Sequence, residues 1–296
     1  MEARQNKDRT TELLLLFVVI IWAANYPLAK YAIAKIHPFV FNSIRYVTAS
    51  ALIAIFFFHQ AKWQPIRKGD GMKLLRIGII ASVAYQVAFI IGLQYSTAGN
   101  VAIIIATSPL WTLFISAKLH REKIPAFVLI GMIVSCLGVI LIILGSGKKI
   151  EIGSVTLIGN IITCIAAMLW GLNTSLQQSL LSRYSASQLQ LIMLTIGGVG
   201  LTAIASPYLL TFEWETIGWT YYAAAIASGA LSIALSNLIW SYAVKIIGPG
   251  KTANFNNLVP VVAFILSYVT LHEELLFIQV GGAFVTLVGV WFVRRR

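Results

Sequence analysis

The stretch LLLLFVVIIWAANYPLAKYAIA, Leu13 to Ala34, carries a single charged side chain, Lys30. A helix rises about 1.5 Å per residue, so about 20 mostly apolar residues cross the hydrocarbon core of a bilayer. The same ruler laid along the chain finds nine more segments of this kind. They are Pro38 to Phe58, Lys73 to Leu93, Thr97 to Ala117, Ile124 to Leu144, Gly153 to Leu176, Ala186 to Leu209, Trp219 to Ala243, Gly248 to Leu271 and Leu276 to Val293. The chain reads as an all-α integral membrane protein of ten transmembrane helices. Several connections are only a few residues long, so consecutive helices are antiparallel neighbours. The polar stretch Met1 to Glu12 precedes the first span, which lacks a small-residue cleavage site and reads as a retained helix.

Composition agrees with that reading. Hydrophobic residues make up 58% of the 296 and charged residues 11%, against about 25% charged in soluble domains. The net charge of +12 is explained by membrane topology and calls for no nucleic-acid partner. With the N-terminus inside, Arg4, Lys7 and Arg9, then Lys62, Arg67, Lys68, Lys73 and Arg76, then Lys118, Arg121 and Lys123 fall on the cytoplasmic side. Arg183, Lys245, Lys251, Arg294, Arg295 and Arg296 join them, while Lys30, Lys35, Lys148 and Lys149 fall outside. Basic residues concentrate on cytoplasmic loops, so both termini are expected in the cytoplasm and the protein in the cytoplasmic membrane. Cys136 and Cys164 lie in apolar runs, where a thiol acts as a small hydrophobe.

The chain also repeats itself. Sliding it by 151 residues brings Gly99 onto Gly250, Pro109 onto Pro260, Glu122 onto Glu273, Gly131 onto Gly282 and Gly138 onto Gly289. A shift of 148 brings Trp22 onto Trp170 and Asn25 onto Asn173. Residues 1–12 then form a cytoplasmic segment, 13–147 a first five-helix repeat and 148–296 a second. Five is odd, so the second copy enters the membrane from the opposite face, the inverted plan in which substrate binds near the midplane and access alternates.

These features resemble the drug/metabolite transporter superfamily, EamA branch. The resemblance is carried by Trp22 to Pro27 and its echo at Trp170 to Asn173, by Pro109 and Pro260, by Glu122 and Glu273, and by the glycine runs Gly131 to Val139 and Gly282 to Val290. It covers nearly the whole chain. It implies a secondary carrier of small metabolites, often amino acids or related compounds and often outward. The motifs are family-wide and do not name the cargo.

Candidate site residues follow from what lipid tolerates. Pro109 and Pro260 lie near the centres of helices 4 and 9, where each removes a backbone hydrogen bond and is expected to kink and gate the helix. Asn254, Asn256 and Asn257 crowd before Pro260; these amides either line a cavity or pair between helices, and cavity lining is the expectation. Asn25 and Asn173 share a helical face with Trp22 and Trp170; the tryptophans either form an aromatic wall beside an amide, suited to a small amphipathic solute, or simply pack. Tyr85, Gln86 and Phe89 on helix 3, Gln177 on helix 6, and Asn237 and Trp240 on helix 8 are lesser candidates. Arg45, a cation about two turns inside helix 2, either pairs with a substrate carboxylate or snorkels to the outer headgroups.

No Asp or Glu lies in the middle of a span, which argues against a proton relay and for facilitated transport or exchange. The sequence holds no His-Glu-x-x-His, no Cys-x-x-Cys and no paired intramembrane carboxylates, so neither an enzyme nor a metal or cofactor site is expected. A channel-like facilitator or exchanger for amines or drugs is the alternative, and no ring of like charge marks a filter. The expected partners are a small-molecule substrate and lipid. Gly131, Gly138, Gly282 and Gly289 allow close helix contacts within one chain or between two in a homo-oligomer.

Overall fold

The computed structural model describes residues 2–60, 63–95, 101, 104–121, 123–145, 154–271 and 277–294. Gly99, Glu122, Lys148, Lys149 and Glu273, all used in the sequence reading, lie outside the described residues. Helix α1 spans Glu2–Ile33, so the polar stretch before Leu13 continues into the first span as one helix. Thr11 is buried on it, its hydroxyl donating to the Lys7 carbonyl at 2.8 Å.

Every further long element among the described residues is also helical. Helix α2 is Pro38–Gln60, and α3 runs from Gly71–Gly78 through a π-helical stretch, Ile79–Ala84, into Tyr85–Tyr95. Helices α4 to α7 are Ser108–His120, Ala126–Gly145, Ser154–Leu181 and Ala186–Leu210. Helix α8 joins Trp219–Ala227 to Ser236–Ile247 through a second π-helical stretch, Ser228–Leu235. Helix α9 joins Pro249–Asn254 to Leu258–Leu271 through a 3₁₀ turn, Phe255–Asn257, and α10 is Phe277–Arg294. Among the described residues, five helices are, by length and composition, able to cross a membrane, those containing Pro38–His59, Gly71–Gly92, Leu157–Leu181, Ala186–Leu210 and Trp219–Ile247. Large apolar side chains such as Ile55, Val199, Trp219 and Phe284 stand exposed on the outer surface, where only lipid would suit them.

The departures from regular α-helix come in pairs. A shift of 151 residues lays Ile79–Ala84 on positions 230–235, inside the second π stretch, and lays positions 104–106 on the 3₁₀ turn 255–257. Ahead of α4 the chain turns at Ala106 and Thr107, where Thr107 donates to the Ile104 carbonyl through both its amide (3.0 Å) and its hydroxyl (2.6 Å). Pro109 therefore stands in the first turn of α4, and Pro260 at the third residue of the second segment of α9. The first N–H groups of a helix have no intrahelical partner, so Pro109 loses nothing there, whereas Pro260 lies within an unbroken helical run over Pro249 to Leu271. The expected mid-helix position is thus corrected for Pro109, which starts α4, while Pro260 stays inside α9, where the helix tightens to a 3₁₀ turn ahead of the proline.

Packing also comes in pairs. Helix α5 lies along α10 and α2 along α7, while α1 contacts α8 and α9 much as α6 contacts α3 and α4. The α5–α10 contact is backbone to backbone. A Cβ on Gly138 would fall 2.6 Å from the Gly282 carbonyl and onto the Thr286 backbone, and one on Gly289 2.6 Å from the Gly131 carbonyl. The glycines left open between intra- and interchain contact are therefore used within the chain. Between α2 and α7, hydroxyls bridge where small residues bring the helices close: Ser50 Oγ to the Leu194 carbonyl at 2.7 Å, and Ser43 with Thr202 at 2.7 Å.

Candidate functional site

Four aromatic rings meet where the regular helices give way. Trp22 of α1 lies 5.7 Å from Trp170 of α6 and 5.1 Å from Trp240 of α8, and Trp170 lies 5.7 Å from Trp240. Tyr85, the first residue after the π stretch of α3, stacks on Phe89 and stands 5.1 Å from Trp170. The structure thus brings together four residues that the sequence offered singly. A π-helix bonds i→i+5 instead of i→i+4, which displaces the ordinary ladder and lets outside donors reach its carbonyls. Trp22 uses this: its Nε1 donates to the Ser232 carbonyl at 3.1 Å. Trp240 Nε1 donates to Thr174 Oγ1 at 3.4 Å, whereas the buried Nε1 of Trp170 has no acceptor.

The amides divide into two groups. Asn25 accepts from Ser228 Oγ at 2.5 Å, which ties α1 to the start of the second π stretch. Gln86, 7% exposed, donates to the Tyr46 hydroxyl at 3.2 Å, and its repeat counterpart Asn237 is half-buried just after the second π stretch. Asn173 accepts from Gln177 Nε2 at 2.9 Å; Gln177 then accepts from Ser241, which in turn accepts from Gln190 Nε2 at 2.6 Å. On α9 the structure departs from cavity lining for two of three residues. Asn254 donates to the Val290 carbonyl of α10 at 3.2 Å and Asn257 to Ser135 Oγ of α5 at 2.6 Å, both fully buried. These two pair between helices; Asn256, half-buried in the 3₁₀ turn, does not share those bonds.

Arg45 does not snorkel. It is 8% exposed and turned between α2 and α8, with its guanidinium donating to Asn42 Oδ1 at 3.1 Å and more weakly to Ser232 Oγ at 3.4 Å. It lies over the Phe41 ring at 5.1 Å and within electrostatic reach of Tyr46 and Tyr85. Ser232 therefore joins the cation to the aromatic centre, its hydroxyl facing Arg45 and its carbonyl facing Trp22.

Both ends of the bundle carry further contacts. On the face assigned to the cytoplasm, Arg183 Nη1 donates to both oxygens of Asp70 at 2.8 and 2.9 Å, Tyr184 Oη donates at 3.1 Å and Lys73 Nζ at 3.3 Å. Chiefly through the Arg183 hydrogen bonds, the Asp70 carboxyl is held below its usual value. Gln188 doubles this clasp, donating to the Gln64 carbonyl at 2.7 Å and accepting from its amide at 3.0 Å. At the other end Tyr31 stacks on Tyr221 at 4.5 Å, beside the 2.8 Å Tyr31–Thr220 hydroxyl bond. A cavity of about 510 Å³ there is lined by Lys35, His37, Tyr208 and Glu213 among others, and burial lowers the His37 pKa.

Sequence reasoning did not single out Asn42, Tyr46, Ser228, Ser232 or Asp70. The available signal was the shift of 151 residues, which marks the small-residue run Ser228 to Ala234 as the counterpart of the run before Tyr85.

Comparison with known proteins places this geometry. A model of the EamA-like transporter family matches residues 9–144 and again residues 157–295. An uncharacterized transporter of Archaeoglobus fulgidus is 26% identical, aligned over 95% of this chain and 96% of its own. The uncharacterized transporter YyaM of Bacillus subtilis is 26% identical over 94% of this chain and 91% of its own. A solved crystal structure superposes with a TM-score of 0.79 over 96% of this chain and 98% of that one; at 13% identity this is a likeness of fold alone.

Proposed function

The chain belongs to the EamA-like transporter family, and from that premise we propose a secondary transporter that moves small metabolites, amino acids or related compounds, across the cytoplasmic membrane by alternating access. The proposal has ten helices crossing the membrane as two inverted five-helix halves, 13–147 and 148–296, with both termini in the cytoplasm. One observation carries it: the repeat-equivalent Trp22 and Trp170 meet each other, Trp240 and Tyr85 beside two π stretches. Irregular backbone at membrane depth is tolerated only where protein buries it or a cavity bathes it, and carriers of inverted design place their substrate there.

In this reading the aromatic rings hold the apolar part of the solute, and Asn25, Gln86, Asn237 and Asn256 supply amides around it. The Asp70–Arg183 clasp and the Tyr31–Tyr221 stack are the inner and outer gates. No span carries a mid-membrane carboxylate, which supports uncoupled transport or exchange; export is favoured by the family resemblance.

Counterflow in proteoliposomes loaded with unlabelled amino acids tests the reading. Saturable uptake of labelled amino acid that ignores an imposed pH gradient supports it. Silence across the panel overturns the amino-acid assignment, and non-saturating flux with conductance overturns the carrier.

A further inference from the structure

The guanidinium of Arg45 is a buried cation that no carboxylate among the described residues neutralises; the pairs of Asp70 with Arg183 and Lys73 lie at the far end of the bundle. Its described hydrogen-bond partners, Asn42 and Ser232, are neutral, and one of the two bonds is 3.4 Å long. A charge taken out of water is retained when a partner charge and full hydrogen bonding offset its desolvation, and the described residues supply neither.

The shortfall is specific. Arg45 Nε and Asn42 Nδ2 are both buried donors without an acceptor. Asn42 is 1% exposed, and its amide oxygen is already taken by Arg45 Nη1, which leaves its amide nitrogen as a second buried donor on a residue bound to that guanidinium. What the cluster lacks is one negative charge and acceptor lone pairs for two buried donors. A single carboxylate provides both, since its two oxygens accept together and carry one charge. A phosphate dianion would overshoot the one positive charge available.

We propose that Asn42 and Arg45 form an anion subsite that binds the carboxylate of the transported solute. Ser232 sets its position against the aromatic centre, because its hydroxyl accepts from Arg45 while its carbonyl accepts from Trp22. The subsite rests on the transporter reading and sharpens it: the substrate class is monocarboxylates with an apolar body, an amino acid among them.

Two variants test this. Asn42→Asp replaces the free donor with a carboxylate of the chain's own beside Arg45, and Arg45→Met removes the charge. The readout is the thermal unfolding midpoint of the detergent-solubilised full chain with L-leucine against L-leucinamide and L-phenylalanine against L-phenylalaninamide, alongside counterflow of the two acids. Wild type should be stabilised by at least one acid more than by its amide. Both variants should lose that difference along with counterflow, and Asn42→Asp should unfold at a higher temperature than wild type without ligand. The subsite is overturned if wild type shows no acid-over-amide difference for either pair, or if Asn42→Asp or Arg45→Met keeps it. Silent counterflow with the acid-over-amide difference intact would instead overturn transport and leave the subsite standing.

Discussion

Replacing Trp22 with Phe and, separately, Trp170 with Phe removes the same indole nitrogen from two repeat-equivalent positions, yet the two changes are expected to move stability apart. Both tryptophans are half-buried and both changes trade an indole for a phenyl ring, so the ring loss is taken to cancel in the comparison. Trp22→Phe also loses the 3.1 Å bond to the Ser232 carbonyl, a net cost of about 0.5–1.5 kcal/mol. Trp170→Phe removes a buried N–H that has no acceptor, relieving a desolvation cost of about 1–3 kcal/mol. The two variants should therefore differ by about 1.5–4.5 kcal/mol, with Trp170→Phe the more stable. At about 2–4 °C per kcal/mol for a large domain, that is a Tm gap of about 3 °C or more, readable by thermal unfolding in detergent. Helix α6 packs on the first π stretch as α1 packs on the second, so on the proposed cycle the two indoles exchange roles in the opposite-facing state. Both variants should then slow counterflow, whatever they do to Tm. A Trp170→Phe protein no more stable than Trp22→Phe, or one with unimpaired turnover, refutes this reasoning.

The inner clasp has a defined pH window. The Asp70 pKa is depressed, so its contribution is complete above the unfolded carboxylate value of about 4 and is lost only as pH falls through the lower folded value; Asp70→Asn should lose it at neutral pH, seen as faster tryptic cleavage at Arg67 or Arg183 in inside-out vesicles. Gly138→Ala pushes a methyl into the Thr286 backbone and should cost about 1–3 kcal/mol, whereas Gly281→Ala on exposed helix, with nothing within 4 Å, should gain about 0.5–1 kcal/mol; equal Tm values for the two would remove the backbone contact. Asn257→Leu breaks the bond to Ser135 and should lower Tm, while Asn256→Leu should leave Tm unchanged and abolish counterflow; normal uptake in the latter takes α9 out of the site.

Hydrophobic length made the helices legible, because a chain in lipid must satisfy its backbone within each segment. The prolines marked where helices 4 and 9 fail, but not how: whether Pro109 bends a helix or starts one depends on where Ser108 begins, which neighbouring helices decide. The π stretches had no signature of their own. Gly229 explains part of the second, since a Cβ there would sit 2.5 Å from the Arg45 carbonyl and 2.9 Å from its Cα, so α2 and α8 meet through backbone. The tryptophans emerged from the repeat, but their convergence with Trp240 and Tyr85 depends on helix rotations that a pattern of apolar residues leaves free. Arg45 was legible as a cation and illegible as a buried one, because an Arg stem reaches either way until its neighbours are known. Its partner Ser232 lies 187 residues away, and Arg183 lies 113 from Asp70, separations that local periodicity cannot bridge.

The duplication also shows where the two ends have diverged. Asp70 stands immediately before α3 and Gly218 immediately before α8; Arg183 follows α6 by the same two residues as Lys35 follows α1. The cation is thus kept at both ends, but only one end has a carboxylate at the position facing it. At the inner end Asp70 closes on Arg183, while at the outer end Lys35 borders a cavity of about 510 Å³ and the halves meet through Tyr31 and Tyr221. A carrier whose gates were equal would divide its time between its two faces according to its solutes alone. On the proposed cycle, closing the Lys35 end cannot recruit the counterpart of the Asp70 bond, because Gly218 has no side chain to offer. In the same proposed cycle the state shut at the Asp70 end carries the Asp70–Arg183 contact, and opening that end would be driven by what the solute contributes at the centre. On the proposed cycle, a carboxylate satisfying Arg45 and Asn42 is the group able to supply that free energy, which makes the anion subsite the counterweight to the clasp.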